Sequence, residues 1–265
     1  MDSSLRRNNV VVTGNLEGPT MIFGHGFGCS QAAWRLVAPQ FEADHRVVLF
    51  DHVGAGGSDL TAYDRGKYDS LHGYAADVVD LVESLDVSDV IFVGHSVSAM
   101  VGVLAANRIT SRFRQLVLVG PSPRYINDGA YRGGFERADI DGLLDSLDAN
   151  YLGWSTAFAP VVMGNPDRPE LGEELAASFC RLDPAIAHQF ARVTFLSDNR
   201  RDLAEVTVPT HVIQSSDDAI APIEVGRFVH EAIAGSRLTV LSSTGHLPIL
   251  SGAGELVEAI RRGLD

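Results

Sequence analysis

The sequence is poor in cysteine, since only Cys29 and Cys180 occur among its 265 residues. Two cysteines so far apart along the chain do not build the disulfide framework on which small secreted domains depend. We therefore expect two reduced thiols. The chain is long enough to bury a sizeable core without such cross-links, as one large domain with room for an insertion.

Positive charge is also scarce, because 21 lysines and arginines stand against 34 aspartates and glutamates, for a formal net charge of −13. Nucleic acids and anionic membranes repel such a surface, so neither is an expected partner. No stretch approaches the ~20 apolar residues that cross a bilayer. Residues 1–9 lack the apolar region of a signal peptide, and the expected location is the cytoplasm.

Ligand-binding signatures are missing as well. Five histidines show no pairing at the spacing of metal ligands, namely His45, His72, His188, His211 and His230. The glycine-rich residues 24–28 lack the Gly-Lys-Ser/Thr sequence of a phosphate-binding loop. We therefore predict neither a metal nor a cofactor.

The sequence does contain a regular alternation of short apolar runs with segments of helical periodicity. Near-continuous apolar runs predict strands covered on both faces, as in a parallel sheet. The predicted strands are residues 21–23, 47–50, 90–93, 116–119, 211–214 and 238–241, with 10–12 as an antiparallel edge. Amphipathic patterns predict helices over residues 71–85, 222–232 and 256–264. This order indicates an α/β fold with a mostly parallel, doubly wound sheet.

A serine stands where one of these strands meets the next helix. Residues 94–98 are Gly-His-Ser-Val-Ser, between the apolar run 90–93 and the small, apolar residues 99–106. This is the context of a nucleophile elbow, in which a strained, glycine-framed turn lifts a serine oxygen clear of the sheet. Ser98 occupies the last position of the elbow, where glycine is usual. We predict Ser96 as the nucleophile.

A serine hydroxyl is a weak nucleophile until a base takes its proton, so Ser96 requires a histidine and an acid that orients it. His246 follows the last predicted strand, and Asp217 and Asp218 follow the strand before it. The chain order serine, acid, histidine is typical of α/β-hydrolases. We predict His246 as the base, while spacing alone leaves Asp217 and Asp218 as alternative acids.

The oxyanion formed during acyl transfer needs amide donors. The residue after the nucleophile, Val97, is the first predicted donor, and Phe27 in the glycine-rich residues 24–28 is the second. His25 and His95 flank these positions, and we expect both to be buried, hydrogen-bonded histidines.

The alternation of strand and helix stops between about residues 124 and 200. This segment has no convincing strand, shows helical periods such as Ile140, Leu143 and Leu147, and is rich in aromatic residues. We predict a helical cap over residues 124–200, inserted into a core of residues 1–123 and 201–265. Because such a cap over a serine encloses an apolar cavity, its aromatic residues belong either to the cap core or to the pocket wall.

Together these motifs resemble one group of α/β-hydrolases, the RsbQ-type bacterial stress-signalling hydrolases and the plant karrikin and strigolactone receptors. The resemblance covers nearly the whole chain, and its segments are residues 25–28, 94–100, 121–125, 133–135, 150–154 and 245–248, with Asp51 and the pair Asp218 and Pro222. Ser98 matches the plant receptors. Residues 166–170 and the pair Asp217–Asp218 look more like the bacterial members.

The resemblance implies an α/β-hydrolase fold whose triad is Ser96, Asp218 and His246, because the family's acid precedes a proline by four positions, as Asp218 precedes Pro222. It also implies a cap of four helices in a V over a hydrophobic pocket. With His95 added from its place beside the nucleophile, the predicted pocket residues are Phe27, His95, Tyr125, Phe135, Trp154, Phe158 and Phe195.

The expected function is that of a serine hydrolase, of esterase or lactonase type, acting on a small hydrophobic ester or lactone through an acyl-enzyme. The alternative is a ligand-sensing regulator or receptor in which slow hydrolysis accompanies binding of a protein partner. The resemblance implies a phosphatase as one such partner, because RsbQ-type proteins serve one in stress signalling. A third interpretation on the same fold is carbon–carbon bond cleavage or haloperoxidase-like chemistry.

Overall fold

The computed structural model describes residues 3–264, so residues 1, 2 and 265 of the predicted core lie outside the described residues. Within that range a seven-stranded sheet has the strand order β1-β3-β2-β4-β5-β6-β7. The strands are β1 (Val11–Gly14), β2 (Thr20–Gly24), β3 (Arg46–Leu49), β4 (Val90–His95), β5 (Phe113–Val119), β6 (Thr210–Asp217) and β7 (Arg237–Thr244). β1 is antiparallel to β3, and the other neighbouring strands are parallel. The predicted mostly parallel sheet is confirmed.

Helices connect and flank these strands. Those in the described part of the chain are α1 (Ser3–Arg7), α2 (Leu71–Ser84), α3 (Val97–Arg108), α4 (Arg137–Ala149), α5 (Tyr151–Met163), α6 (Pro169–Phe179), α7 (Pro184–Phe195), α8 (Ile223–Ala232), α9 (Pro248–Ser251) and α10 (Ala253–Leu264). The helices predicted over residues 71–85, 222–232 and 256–264 correspond to α2, α8 and α10. Over residues 3–264 we find no helix with the length and apolarity needed to cross a membrane.

Two apolar layers cover the two faces of the sheet. In β4, Ile91 and Val93 belong to one layer, whereas Val90 and Phe92 belong to the other. Successive side chains of a strand point to opposite faces, so a strand that is buried on both faces is apolar at every position. This is the physical reason why uninterrupted apolar runs predicted these central strands.

The last strand departs from that prediction. In β7, Leu241 is buried, but the Val240 side chain is 47% exposed and the other residues of the strand are exposed or half-buried. β7 lies at the edge of the sheet and pairs only with β6. The expectation that residues 238–241 are covered on both faces is therefore wrong at Val240, because the layers that pack on the sheet cover its last strand incompletely.

The segment between β5 and β6 contains four helices, α4 to α7. Their inward residues, among them Ile140, Leu144 and Phe195, share one apolar layer with Val93 and Val119 of the sheet. These helices therefore pack on the core and enclose the carboxyl ends of β4 and β5. The division of the chain at residues 124–200 stays a prediction.

Candidate active site

Ser96 lies at the sharp turn between β4 and α3. Its backbone has φ 57° and ψ −122°, in a region that residues with a side chain seldom adopt. Strand and helix approach closely here, since a Cβ on Gly94 would lie 2.5 Å from the carbonyl oxygen of Ser98. The Ser96 amide donates to the carbonyl of Val119, at 2.8 Å, which ties the turn to β5. The strain and its support hold the serine oxygen at the carboxyl end of the sheet.

Three side chains from separate loops meet at this turn. His246 Nε2 lies 2.7 Å from Ser96 Oγ, and His246 Nδ1 lies 2.7 Å from Asp218 Oδ2. All three residues are nearly buried, with exposures of 6% for Ser96, 4% for His246 and 6% for Asp218. The structure thus brings the predicted nucleophile, base and acid into one hydrogen-bonded chain.

The carboxylate of Asp218 is held in its ionised form by its surroundings. Its Oδ1 accepts hydrogen bonds from the amides of Ile220, at 2.8 Å, and Ala221, at 3.0 Å. Burial raises the pKa of Asp218, but the His246 ring and these two amides outweigh burial, and the net pKa is lowered. An ionised carboxylate fixes the proton of His246 on Nδ1 and leaves Nε2 as the acceptor that faces Ser96.

The neighbouring carboxylate is turned away from the site. Asp217 is the exposed last residue of β6, and its backbone carbonyl accepts a hydrogen bond from Gly245 N–H at 2.7 Å. Asp218 lies just beyond the strand, where its carboxylate accepts from the amides of Ile220 and Ala221 and contacts His246 Nδ1. Of the two aspartates, it is therefore Asp218 that faces His246.

The backbone of His246 is held from both sides. His246 N–H donates to the carbonyl of Val162 in α5, at 2.9 Å, and the His246 carbonyl accepts from His95 Nε2, at 2.8 Å. Burial and the neighbouring His246 ring lower the pKa of His95 to about 3, so His95 is a neutral donor at pH 7. His95 is buried and hydrogen-bonded, and it also supports His246.

Two backbone amides beside Ser96 are available to an incoming oxyanion. Val97 is the first residue of α3, so its N–H has no acceptor within the helix. Among the described residues the N–H of Phe27 has no backbone acceptor either. The loop of Phe27 passes close to the nucleophile, because a Cβ on Gly26 would lie 3.3 Å from Ser96 Cβ. Phe27 and Val97 stay the predicted oxyanion donors.

A second serine–histidine contact lies beneath the first. Ser98 Oγ donates to the carbonyl of His25, at 2.5 Å, and therefore accepts from His52 Nε2, at 2.6 Å. Ser98 is completely buried, and burial lowers the pKa of His52 well below its usual value. The hydroxyl of Ser98 thus links α3 to the glycine-rich loop, a role that sequence reasoning missed. The sequence did contain a signal for this role, because nucleophile elbows usually have glycine at this position and here there is a hydroxyl.

A cavity opens above Ser96 and His246. It is lined by Gly26, Phe27, His95, Ser96, Tyr125, Phe158, Val162, Leu175, Phe179, Thr194, Phe195, Ile220, His246 and Leu247. Most of these side chains are apolar, none carries a carboxylate, and burial raises the pKa of the Tyr125 hydroxyl, which stays protonated. The cavity therefore suits a small, uncharged, largely apolar ligand.

Five of the seven predicted pocket residues line this cavity, namely Phe27, His95, Tyr125, Phe158 and Phe195. The other two do not. Trp154 stacks on Phe158 with ring centroids 5.0 Å apart, and Phe135 is partly buried against the core layer.

The lining residues that sequence reasoning missed are mostly aliphatic or lie one turn from an aromatic residue. Val162 follows Phe158 by four residues on α5, and Leu175 precedes Phe179 by four residues on α6. Residues four apart share one face of a helix, so a helical period through the cap aromatics could have found them. The pocket prediction considered only aromatic residues of this segment and therefore omitted Val162 and Leu175.

The Thr194 hydroxyl is a polar group of the cavity wall that lacks a partner. Among the described residues no group bonds to Thr194 Oγ1, although Thr194 is only 2% exposed. An unpaired buried hydroxyl costs stability, so we expect Thr194→Val, which keeps the shape, to raise the free energy of unfolding by about 1 kcal/mol. Urea denaturation measures this change.

Thr210→Val is the matched control, because buried Thr210 Oγ1 donates to the Val208 carbonyl at 2.8 Å. Losing that bond should lower the free energy of unfolding by about 1 kcal/mol. A destabilised Thr194→Val protein would show that the Thr194 hydroxyl is paired after all.

Known proteins share this architecture. A family model described as the alpha/beta hydrolase family matches residues 21–259. The chain is 38% identical over 256 residues to the Karrikin insensitive 2 receptor CA of Petunia hybrida, covering 96% of this chain and 94% of that protein. It is 38% identical over 258 residues to the Strigolactone esterase D14 of Arabidopsis thaliana, covering 97% and 96%. The structure of olei00960, a hydrolase from Oleispira antarctica, has a TM-score of 0.95 at 38% identity, covering 98% of this chain and 95% of that one. The resemblance to the plant receptors is confirmed.

Proposed function

Because the chain belongs to the alpha/beta hydrolase family, we propose that it hydrolyses a small, uncharged, largely apolar carboxylic ester or lactone. The observation that carries this proposal is the hydrogen-bonded chain from Ser96 Oγ through His246 to Asp218, with 2.7 Å at each step. The serine end of this hydrogen-bonded triad lies in the wall of an apolar cavity, so the carbonyl of a bound ester would contact the serine oxygen there.

The proposed reaction begins with attack of Ser96 Oγ on the carbonyl carbon, while His246 Nε2 takes the hydroxyl proton. Asp218 accepts the Nδ1–H of His246 and stabilises the imidazolium as it forms. The amides of Phe27 and Val97 bind the tetrahedral oxyanion, and each such donor is typically worth ~3 kcal/mol.

The tetrahedral intermediate then breaks the bond between the carbonyl carbon and the leaving oxygen, which takes the proton from His246. With a lactone, the alcohol stays tethered to the acyl group that Ser96 now carries. Water, activated by His246, hydrolyses this acyl-enzyme and restores the Ser96 hydroxyl. We propose that residues 124–200 act as the cap, since α5, α6 and α7 supply much of the cavity wall.

Labelling with a serine-reactive fluorophosphonate tests the proposal. We expect one adduct, on Ser96, and loss of 4-nitrophenyl acetate hydrolysis in step with labelling, because the phosphonyl group occupies the oxygen that attacks the ester. Peptide mass spectrometry locates the adduct. Hydrolysis that persists after complete modification of Ser96 would refute the mechanism, and a panel of lactones then narrows the substrate class.

Ligand sensing is a second candidate function. It is favoured by the 38% identity to the Karrikin insensitive 2 receptor CA of Petunia hybrida and by the bond between cap helix α5 and His246. In this function slow hydrolysis accompanies binding of a protein partner, for which a phosphatase is one candidate. Turnover far below the typical ~10 s⁻¹ together with ligand-dependent partner capture favours sensing. Fast turnover without a ligand-dependent partner favours the first candidate, an enzyme whose function is the hydrolysis itself.

A further inference from the structure

We propose that Asn165 and Arg168 are positioning residues that hold the catalytic base in place. Both lie in the turn between α5 and α6, residues 164–168, which we call the cap turn. They contact residues 244–251, which carry His246 and which we call the histidine loop. The inference rests on the proposed function, in which His246 is the base.

The cap turn contacts the histidine loop on both sides of His246. Before His246, Asn165 Nδ2 donates to the carbonyl of Thr244 at 3.0 Å. After it, Arg168 Nη2 donates to the carbonyl of Ser251 at 3.0 Å. The same Nη2 donates to Asn165 Oδ1 at 2.5 Å, which joins the two contacts. With the bond from His246 N–H to the Val162 carbonyl, the loop is held at three points by one short segment of the cap.

The charge of Arg168 serves these contacts alone. Among the described residues it pairs with no carboxylate, although the chain carries a net charge of −13. A guanidinium that donates to neutral oxygens forms charge-assisted bonds, which are stronger than neutral ones. Asn165 itself is buried and also donates to the Met163 carbonyl at the end of α5. These bonds to backbone carbonyls are typical of side chains that fix two backbone segments, here the cap turn and the histidine loop, relative to each other.

The backbones of the two segments are also in direct contact. A Cβ on Gly245 would lie 1.8 Å from the carbonyl oxygen of Met163, and Gly245 has φ +87°. A Cβ on Gly164 would in turn lie 3.1 Å from the Cα of Gly245. Because there is no space between them, a shift of the cap turn moves the residue next to His246. The cap turn thus sets where the imidazole stands.

This connection bears on catalysis because general-base geometry is demanding. A misplacement of about 1 Å, caused far from the reacting atoms, can cost about 100-fold in rate. Neither Asn165 nor Arg168 lines the cavity, so substrate affinity does not depend directly on them. Their removal should therefore lower kcat and leave KM nearly unchanged.

The first test compares Arg168→Met with Arg168→Lys in the full-length protein. For 4-nitrophenyl acetate we expect Arg168→Met to lower kcat between about 10-fold and 100-fold, with an unchanged KM. Arg168→Lys should recover most of the loss, because one nitrogen makes both bonds and an ammonium can donate to both acceptors. Arg181→Met is the matched control, since Arg181 is exposed and its side chain makes no bond among the described residues.

A second variant separates positioning from simple stabilisation. Asn165→Asp keeps an oxygen for Arg168 and gains an ion pair, but it loses the N–H groups that donate to Thr244 and to Met163. If the bond to Thr244 positions His246, kcat falls even where the melting temperature is maintained. A spectroscopic readout accompanies both variants, namely the far-downfield proton signal of the His246 Nδ1–H bonded to Asp218. This signal should broaden or shift when the imidazole is no longer held.

The results distinguish this inference from the proposed function. Wild-type kcat and an unchanged downfield signal in both Arg168→Met and Asn165→Asp would overturn the positioning role. A folded variant that loses kcat while the signal is unchanged would overturn it too. If the proposed function is wrong, the labelling experiment gives a different result, namely hydrolysis that persists after Ser96 has been completely labelled.

Discussion

Replacing Ser96 with alanine should reduce kcat/KM for 4-nitrophenyl acetate by about four to six orders of magnitude. The substitution removes the oxygen that attacks the carbonyl, and no other hydroxyl that lines the cavity is bonded to His246 Nε2. The fold should be retained, because Ser96 makes no side-chain cap bond to α3 and its exposed surface faces the cavity. Steady-state kinetics and circular dichroism measure the two effects separately.

Ser98→Ala is the matched serine control for this experiment. Ser98 also contacts a histidine, but its hydroxyl donates to the His25 carbonyl and does not line the cavity. We expect this variant to lose about 1–3 kcal/mol of stability, the cost of leaving buried groups unpaired, and to keep a reactive Ser96. The reverse pattern, an active Ser96→Ala and an inert Ser98→Ala, would transfer the chemistry to the contact between Ser98 and His52.

Substitution of Asp218 by asparagine should lower kcat about 10⁴-fold without removing the nucleophile. Asparagine has nearly the same shape, but its amide no longer holds the His246 proton on Nδ1 by charge or stabilises the imidazolium. Nε2 then carries a proton in part of the molecules and cannot accept one from Ser96. Rates for 4-nitrophenyl acetate across a range of pH measure the loss.

Asp217→Asn provides the control at the adjacent position. Asp217 is exposed and contributes only a backbone carbonyl to Gly245, so its substitution should leave kcat unchanged. A comparable loss in both variants would contradict the assignment of Asp218 as the only acid of the site. Equal activity of Asp218→Asn and the wild type would remove the acid from the proposed mechanism.

Short-range physics accounts for the features that were predictable. A strand such as β4 is apolar at every position because both of its faces are covered, and that pattern is visible without coordinates. The elbow at Ser96 is equally local, since small residues must flank a strained turn wherever strand and helix approach closely. His246 follows from the order of elements along the chain.

Other features depend on which residues become neighbours. Spacing alone left Asp217 and Asp218 equivalent; the resemblance to known hydrolases favoured Asp218, and in the structure Asp218 is the one bonded to His246. The partners of Ser98 lie 46 and 73 residues away, so nothing nearby in the sequence identifies them. Trp154 was predicted in the pocket from the family resemblance, but it stacks on Phe158 and does not line the cavity.

By itself the sequence determined the parallel sheet, the serine of the strained elbow and the histidine that follows the last strand, because covered strands and strained turns constrain the residues that form them. Only the tertiary structure decided which side chains surround the cavity and how Asn165 and Arg168 contact the histidine loop. These contacts join residues such as Arg168 and Ser251, which are 83 positions apart. Their geometry is set by the packing of α5 and α6 on the sheet, which no local pattern records.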